Sequence, residues 1–130
     1  MKKCRVEPNV YTYNALMDGY CKIARVKVAL ELFELMQGDG LEPNVVSFVI
    51  LIDGLCQRGE LRKAKMQFGK MFKSGISPNV NVYNCLINSH CKMGDLPEAL
   101  HIYSELPKVN LFPDVFTYTI LIKGMCDVGQ

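Results

Sequence analysis

The chain has 130 residues, of which 49% are hydrophobic and 22% charged, with a net charge of +2 at neutral pH. This is the balance of a soluble globular protein the size of one domain, and so mild a charge does not mark a nucleic-acid binder by bulk electrostatics. No run of about 18 apolar residues occurs, which excludes a membrane-spanning helix, and the opening MKKCRVEPN has no apolar core behind its lysines to make a signal peptide.

The first predicted element lies in EPNVYTYNALMDGYCK, which starts at Glu7 and returns as EPNVVSFVILIDGLCQ from Glu42, SPNVNVYNCLINSHCK from Ser77 and FPDVFTYTILIKGMCD from Phe112. Each copy begins 35 residues after the last, without insertion or deletion. A fixed period of this length is the mark of a solenoid. Within the phrase, Tyr13, Leu16, Met17 and Tyr20 follow the i, i+3, i+4, i+7 spacing of an amphipathic helix. Phe48, Leu51, Ile52 and Leu55 repeat that stripe, as do Tyr83, Leu86, Ile87 and His90, and then Tyr118, Leu121, Ile122 and Met125. This is helix A of each unit. Gly59, Gly94 and Gly129, with Ala24 in the first copy, mark its stop.

A second helix, B, follows in each unit through Val26, Ala29, Leu30, Phe33 and Met36, then Leu61, Ala64, Phe68 and Met71, then Leu96, Ala99, Leu100, Tyr103 and Leu106. Pro97 sits in a first turn, where its missing N–H costs nothing, while Pro107 should end or kink the third helix B early. Gly40, Gly75 and Asn110 are residues that tolerate a left-handed cap, and Pro43, Pro78 and Pro113 keep the chain from running on as helix. Gly19, Gly54, Ser89 and Gly124 lie inside helix A, where glycine costs about 1 kcal/mol relative to alanine. They are expected to let the two helices of a hairpin approach closely opposite Ala29, Ala64 and Ala99.

The fold class that follows is all-α: an open right-handed α-solenoid of antiparallel helix-turn-helix repeats. The units are a tail of a preceding repeat at 1–9, repeats at 10–44, 45–79 and 80–114, and the first helix of a truncated repeat at 115–130. Met1, Pro8 and Asn9 match Met36, Pro43 and Asn44 in register, so the chain reads as a segment of a longer array. Its uncapped apolar ends are expected to self-associate.

Six cysteines raise the question of disulfides or zinc. Cys21, Cys56, Cys91 and Cys126 are one repeat position met four times, about 8–10 Å apart if the repeats stack at helix-packing distance, too far for a bridge. The spacing of Cys85, His90 and Cys91 does not match the close ligand pairs of zinc sites. The expectation is small buried thiols, with no metal and no cofactor. Nor do His90 and His101 stand at a partner spacing that makes a catalytic set, so an enzyme is not expected.

The unit NVYTYNALMDGYCKIARVKVALELFELMQGDGLEP, with TYNALMDGYCK, ALELFELM and a closing Gly-x-x-Pro-Asn/Asp, resembles the pentatricopeptide repeat, in its plain 35-residue subclass. The related tetratricopeptide repeat has a 34-residue period and a Trp-containing pattern, and this chain has no Trp. The resemblance implies single-stranded RNA binding at one base per repeat, each base read by two or three side chains. It also implies a mitochondrial or plastid location and a part in RNA processing, stability, translation or editing.

By the same resemblance the readers are the fifth and last residues of a repeat: Asn14 with Asn44, Val49 with Asn79, and Asn84 with Asp114. Thr119 and Asn9 are halves of two further pairs. The second residues, Tyr11, Val46, Asn81 and Phe116, would clamp the bases, although Asn81 is not an aromatic or apolar side chain. With Asn in the first place going with pyrimidines, Thr with purines, Asp in the second with keto bases and Asn with amino bases, the implied footprint is 5′-C-Y-U-R-3′.

Read from the residues alone, two accounts stay open at these positions. Asn14 and Asn84, outside the apolar stripe, fit a solvated helix face as well as a reading one. Asn9, Asn44, Asn79 and Asp114 stand where ordinary N-caps stand. Tyr11 and Phe116 are aromatic residues at a first turn outside the stripe, which base stacking needs. Lys22 and Lys92, with Arg25 and Arg58 nearby, fit weak phosphate contacts or solvated helix ends. The alternative function is a protein-interaction scaffold of the tetratricopeptide type. A peptide groove has no need of polar side chains at the two reader places, and Val49 is the one filled place without one.

Overall fold

The computed structural model describes residues 9–128. Helices run Val10–Lys22 (α1), Val26–Gly38 (α2), Val45–Gln57 (α3), Leu61–Lys73 (α4), Val80–Lys92 (α5), Leu96–Glu105 (α6) and Val115–Val128 (α7), with a 3₁₀ turn at Pro107–Val109. No strand occurs among the described residues. Helices α1, α3, α5 and α7 are the A helices, and α2, α4 and α6 the B helices. Met1, Pro8 and Gly129 lie outside the described residues.

The stops are where backbone geometry and sequence agree most closely. Ala24, Gly59 and Gly94 end the A helices at positive φ, and Gly40, Gly75 and Asn110 follow the B helices in the same way. After each, the next N–H returns to a carbonyl five residues back: Arg25 to Tyr20 (2.8 Å), Leu41 to Met36 (3.1 Å), Glu60 to Leu55 (2.9 Å), Ile76 to Met71 (3.1 Å), Asp95 to His90 (2.8 Å) and Leu111 to Leu106 (2.9 Å). These are Schellman closures, which satisfy helix-end carbonyls and need a left-handed residue. Ala24 takes that conformation at φ 63° despite its Cβ, a position that glycine would fill with less strain. Pro107 ends α6 at 10 residues where α2 and α4 run to 13, because it supplies no N–H and crowds the preceding turn.

Helices α1, α3 and α5 each pack on their own B helix, and successive A helices pack on each other, whereas among the described helices no two B helices bring Cα atoms within 8 Å. The A helices are thus a close row and the B helices a spread one, which curves the stack toward the A side. The core is continuous through all units: Met17, Met36, Leu51, Ile52, Leu55, Met71, Ile87 and Leu106 have no exposed surface. Between units, edge-to-face aromatic pairs repeat in register. Phe33 meets Phe48 at 5.2 Å, Phe68 meets Tyr83 at 5.4 Å, and Tyr103 meets Tyr118 at 6.3 Å, the T-shaped geometry favoured by ring quadrupoles.

The small residues inside helix A serve a different contact from the one expected. A Cβ on Gly54 would lie 2.6 Å from Sγ of Cys21, and one on Gly124 2.7 Å from Sγ of Cys91. The close neighbour is therefore the preceding A helix, not the alanine of the unit's own B helix. Gly19 has nothing within 4 Å, since no A helix precedes α1 among the described residues. Cys21, Cys56, Cys85 and Cys91 are free and only half-buried, and Cys126 is exposed. Burial still pushes the Cys21 and Cys56 thiols up to about 11, and Cys85, beside Asp53, is raised further.

Candidate nucleic-acid interface

Local rules place the caps first. Asn9, Asn44 and Asn79 sit just before α1, α3 and α5 with extended backbone, and each Oδ1 accepts the N–H three residues on: Thr12 at 2.9 Å, Ser47 at 3.0 Å and Val82 at 3.2 Å. Asp114 does the same for Thr117 at 3.0 Å. That N–H is the main cause holding the Asp114 carboxyl below the usual carboxylate range, with the Asn84 amide adding to it against the opposing effect of burial. The capping account of these four residues is thus correct as far as it goes.

Asn14 and Asn84 do not lie on a solvated face. Asn14 is 6% exposed and Asn84 8%. Each lies where its own A helix meets the start of the next. Asn14 donates Nδ2–H to Oδ1 of Asn44 at 3.2 Å, and Asn84 donates Nδ2–H to Oδ1 of Asp114 at 3.1 Å. Residues 30 apart in sequence thereby form adjoining pairs, two of the combinations that the family resemblance implies.

A third group completes each pair, and sequence reasoning missed it. The Ser47 hydroxyl donates to Oδ1 of Asn14 at 2.6 Å, and the Thr117 hydroxyl donates to Oδ1 of Asn84 at 2.6 Å. Each hydroxyl also accepts the N–H of its capping residue, Asn44 or Asp114, at 3.1 Å. The polarity of the cluster follows from one fixed donor. A backbone N–H can only donate, so the atom it meets on Asn44 is Oδ1. The Asn14 atom against that oxygen must be Nδ2, and its remaining oxygen is left for the hydroxyl. Asn44 then retains Nδ2, and Asp114 retains Oδ2, as the atoms not used by this network.

The middle pair is different. Val49 is half-buried, and the residue equivalent to Ser47 and Thr117 is Val82, fully buried. Reader amide and hydroxyl are absent together. The signal was present in the sequence: the third helical residues read Thr12, Ser47, Val82 and Thr117, and the lone valine follows the lone valine reader.

The second residues lie on an open edge: Tyr11 is 76% exposed, Phe116 67% and Val46 49%, with Asn81 also exposed. Thr119 is exposed and returns its hydroxyl to the Val115 carbonyl at 2.7 Å. Lys22 is exposed and pairs with Asp18 at 3.1 Å. Lys92 is exposed at the end of α5, beside a cleft lined by Asp53, Cys56, Gln57 and Asn88. Among the described residues, no group of three or more His, Cys, Asp or Glu side chains is arranged to hold a metal.

A profile of the PPR repeat family matches residues 8–57, 43–83 and 78–127. No curated protein matches the chain in sequence. Among solved structures, the pentatricopeptide repeat protein PPR10 from maize aligns at 26% identity and TM-score 0.80, over 95% of this chain and 18% of that one. PPR10 in complex with an 18-nt psaJ RNA element aligns at 25% identity and TM-score 0.89, over 97% of this chain and 19% of that one. The PPR domain of Arabidopsis thaliana protein-only RNase P 1, in complex with tRNA, shares the fold at 20% identity and TM-score 0.77, over 98% of this chain and 68% of that one. The chain thus spans about a fifth of the PPR10 length.

Proposed function

Since the chain belongs to the PPR repeat family, we propose that it binds single-stranded RNA, one base per repeat, with the footprint 5′-C-Y-U-R-3′. The observation that carries the reading is the direct contact within two of the proposed reader pairs, Asn14 with Asn44 and Asn84 with Asp114. The RNA complex of PPR10, whose fold this chain shares, supports it.

The chemistry follows from which atoms the caps leave over. With Oδ1 occupied, Asn44 offers Nδ2–H donors, which suit the ring acceptor of cytosine. Asp114, ionised at neutral pH, offers Oδ2 as an acceptor, which suits the ring N–H of uracil. Val49 with Asn79 leaves the middle base weakly specified with a pyrimidine lean, and Thr119 leans to a purine. Tyr11, Val46 and Phe116 supply the surfaces that clamp the bases, and stacking on the aromatic Tyr11 and Phe116 is worth about 1–3 kcal/mol per base before ordering costs. Asn81 supplies a poorer one. Lys22 and Lys92 add phosphate contacts of small effect. Binding by this segment is weak, in the micromolar range or above.

The proposal extends to organellar RNA, whose processing, stability or translation such binding would affect; imaging of the tagged protein in cells tests the compartment. The binding test is a titration of the chain with RNA oligomers carrying 5′-CUUA-3′ or 5′-CUCA-3′. The wild type should favour the first, and Asp114→Asn should move the preference toward the second. An unchanged preference in the variant would reduce Asp114 to a helix cap.

A further inference from the structure

We propose that the buried hydroxyl on the third residue of an A helix, Ser47 or Thr117, is a positioning group that sets base selectivity in the repeat before it. It does so by fixing which atoms the reader amide can show a base. The inference rests on the base-reading proposal and adds to it residues that touch no base.

Ser47 and Thr117 have no exposed surface, so neither hydroxyl is a base contact. Each hydroxyl has one proton, and the shorter of its two oxygen contacts takes it: 2.6 Å to the reader amide against 3.1 Å to Asn44, and 2.6 Å against 3.0 Å to Asp114. With Oδ1 of Asn14 or Asn84 capped in this way, and one Nδ2 hydrogen given to Asn44 or Asp114, a single N–H remains. The reader then presents a donor and no acceptor. A pyrimidine offers its 2-carbonyl oxygen to such a donor. Without the hydroxyl, Oδ1 is a nearly buried acceptor with no donor, which drives the amide to another rotamer or turns it to accept from the base. Selectivity for pyrimidine over purine is then relaxed.

The second repeat gives independent support. Where the reader has no amide, at Val49, the hydroxyl is replaced by the near-isosteric Val82, also fully buried. A threonine there would have no reader oxygen to donate to. The two valines, 33 residues apart, occupy the register of the two donor–acceptor partners Ser47–Asn14 and Thr117–Asn84.

The test measures binding of the whole chain to RNAs carrying 5′-CUUA-3′, 5′-CUAA-3′ and 5′-CUCA-3′. Thr117→Val should lower the preference for U over A at the third base by about five- to tenfold, while keeping the preference for U over C that Asp114 sets. Thr117→Ser should restore the first preference. A gain-of-function pair guards against simple loss of folding: Val49→Asn with Val82→Thr should strengthen the weak wild-type preference for 5′-CUUA-3′ over 5′-CAUA-3′, and Val49→Asn alone should not. A Thr117→Val chain with its U-over-A preference intact, or a Val49→Asn chain as selective as the double variant, overturns the positioning role. A wild-type chain that treats all the RNAs alike, or binds none, overturns the base reading itself and this inference with it.

Discussion

Gly54 of α3 stands against Cys21 of α1 so closely that an added Cβ would fall 2.6 Å from Sγ and 3.2 Å from the cysteine Cβ. Cys21 also donates its thiol to the Ile50 carbonyl at 3.8 Å, so the same side chain bridges two helices stacked along the row. Gly19, at the same register, faces open space. Gly19→Ala should therefore stabilise the chain by about 0.5–1 kcal/mol through helix propensity alone. Gly54→Ala should gain nothing or lose stability, and Cys21→Ala should restore the gain. Thermal melts of the two single variants and the double variant decide it, and equal effects at the two glycines would rule out a helix-spacing role for Gly54.

Thiol reactivity should follow exposure along the row. Cys126 is exposed, whereas Cys21 and Cys56 are half-buried with thiols pushed up to about 11, and Cys85 is raised further beside Asp53. The thiolate is the reactive form, so near neutral pH a thiol reagent should modify Cys126 well before these three. Denaturation should bring the total to six. Mass mapping of the early adducts checks the order, and early modification of Cys85 would contradict it.

His90 is 4% exposed, and its Nε2 has no hydrogen-bond partner among the described residues. Burial, with the nearby Lys65 charge, lowers its pKa below 6.5, against the opposing pull of Glu98 and of Asp95, whose carboxylate lies 3.7 Å from Nδ1. A histidine whose folded pKa is depressed takes up its proton more readily when unfolded. Its contribution is complete above pH 6.5 and is lost as pH falls through the interval between the two pKa values. Urea midpoints should thus decline below that pH, and His90→Leu, matching Leu55 in the preceding unit, should flatten the decline. A slope unchanged in the variant would assign the acid sensitivity elsewhere.

The A helix α7 carries the stripe that in α3 is covered by a B helix. Phe48, Ile52 and Leu55 are at most 1% exposed, whereas Tyr118, Ile122 and Met125 are 49%, 60% and 47% exposed. An apolar face of this kind drives association. Sedimentation of the 130-residue chain should show concentration-dependent self-association, and Ile122→Lys should shift it toward monomer. Identical profiles for the two proteins would show that this face is not the contact.

The sequence by itself determined the elements. A strict 35-residue interval, the apolar stripes and the glycines after them are local signals, and helix period and left-handed caps respond to local chemistry. Ala24 and Asn110 could be recognised as caps only because their register matched glycines elsewhere. The proposed pairing of Asn84 with Asp114 likewise came from register and family resemblance. What the tertiary structure decided is which surfaces meet. Gly54 could be read as a site of close approach, but a residue inside a helix does not state which neighbour approaches it, and the stack chose Cys21 over Ala64. Asn14 and Asn84 could be read as polar, but their burial depends on the next helix start closing over them. No role for Ser47 or Thr117 could be read along the chain, because a hydroxyl bond spanning 33 positions exists only once two helices are packed. Periodicity acts along the chain, whereas these contacts act across it, and only the stacked geometry joins the two.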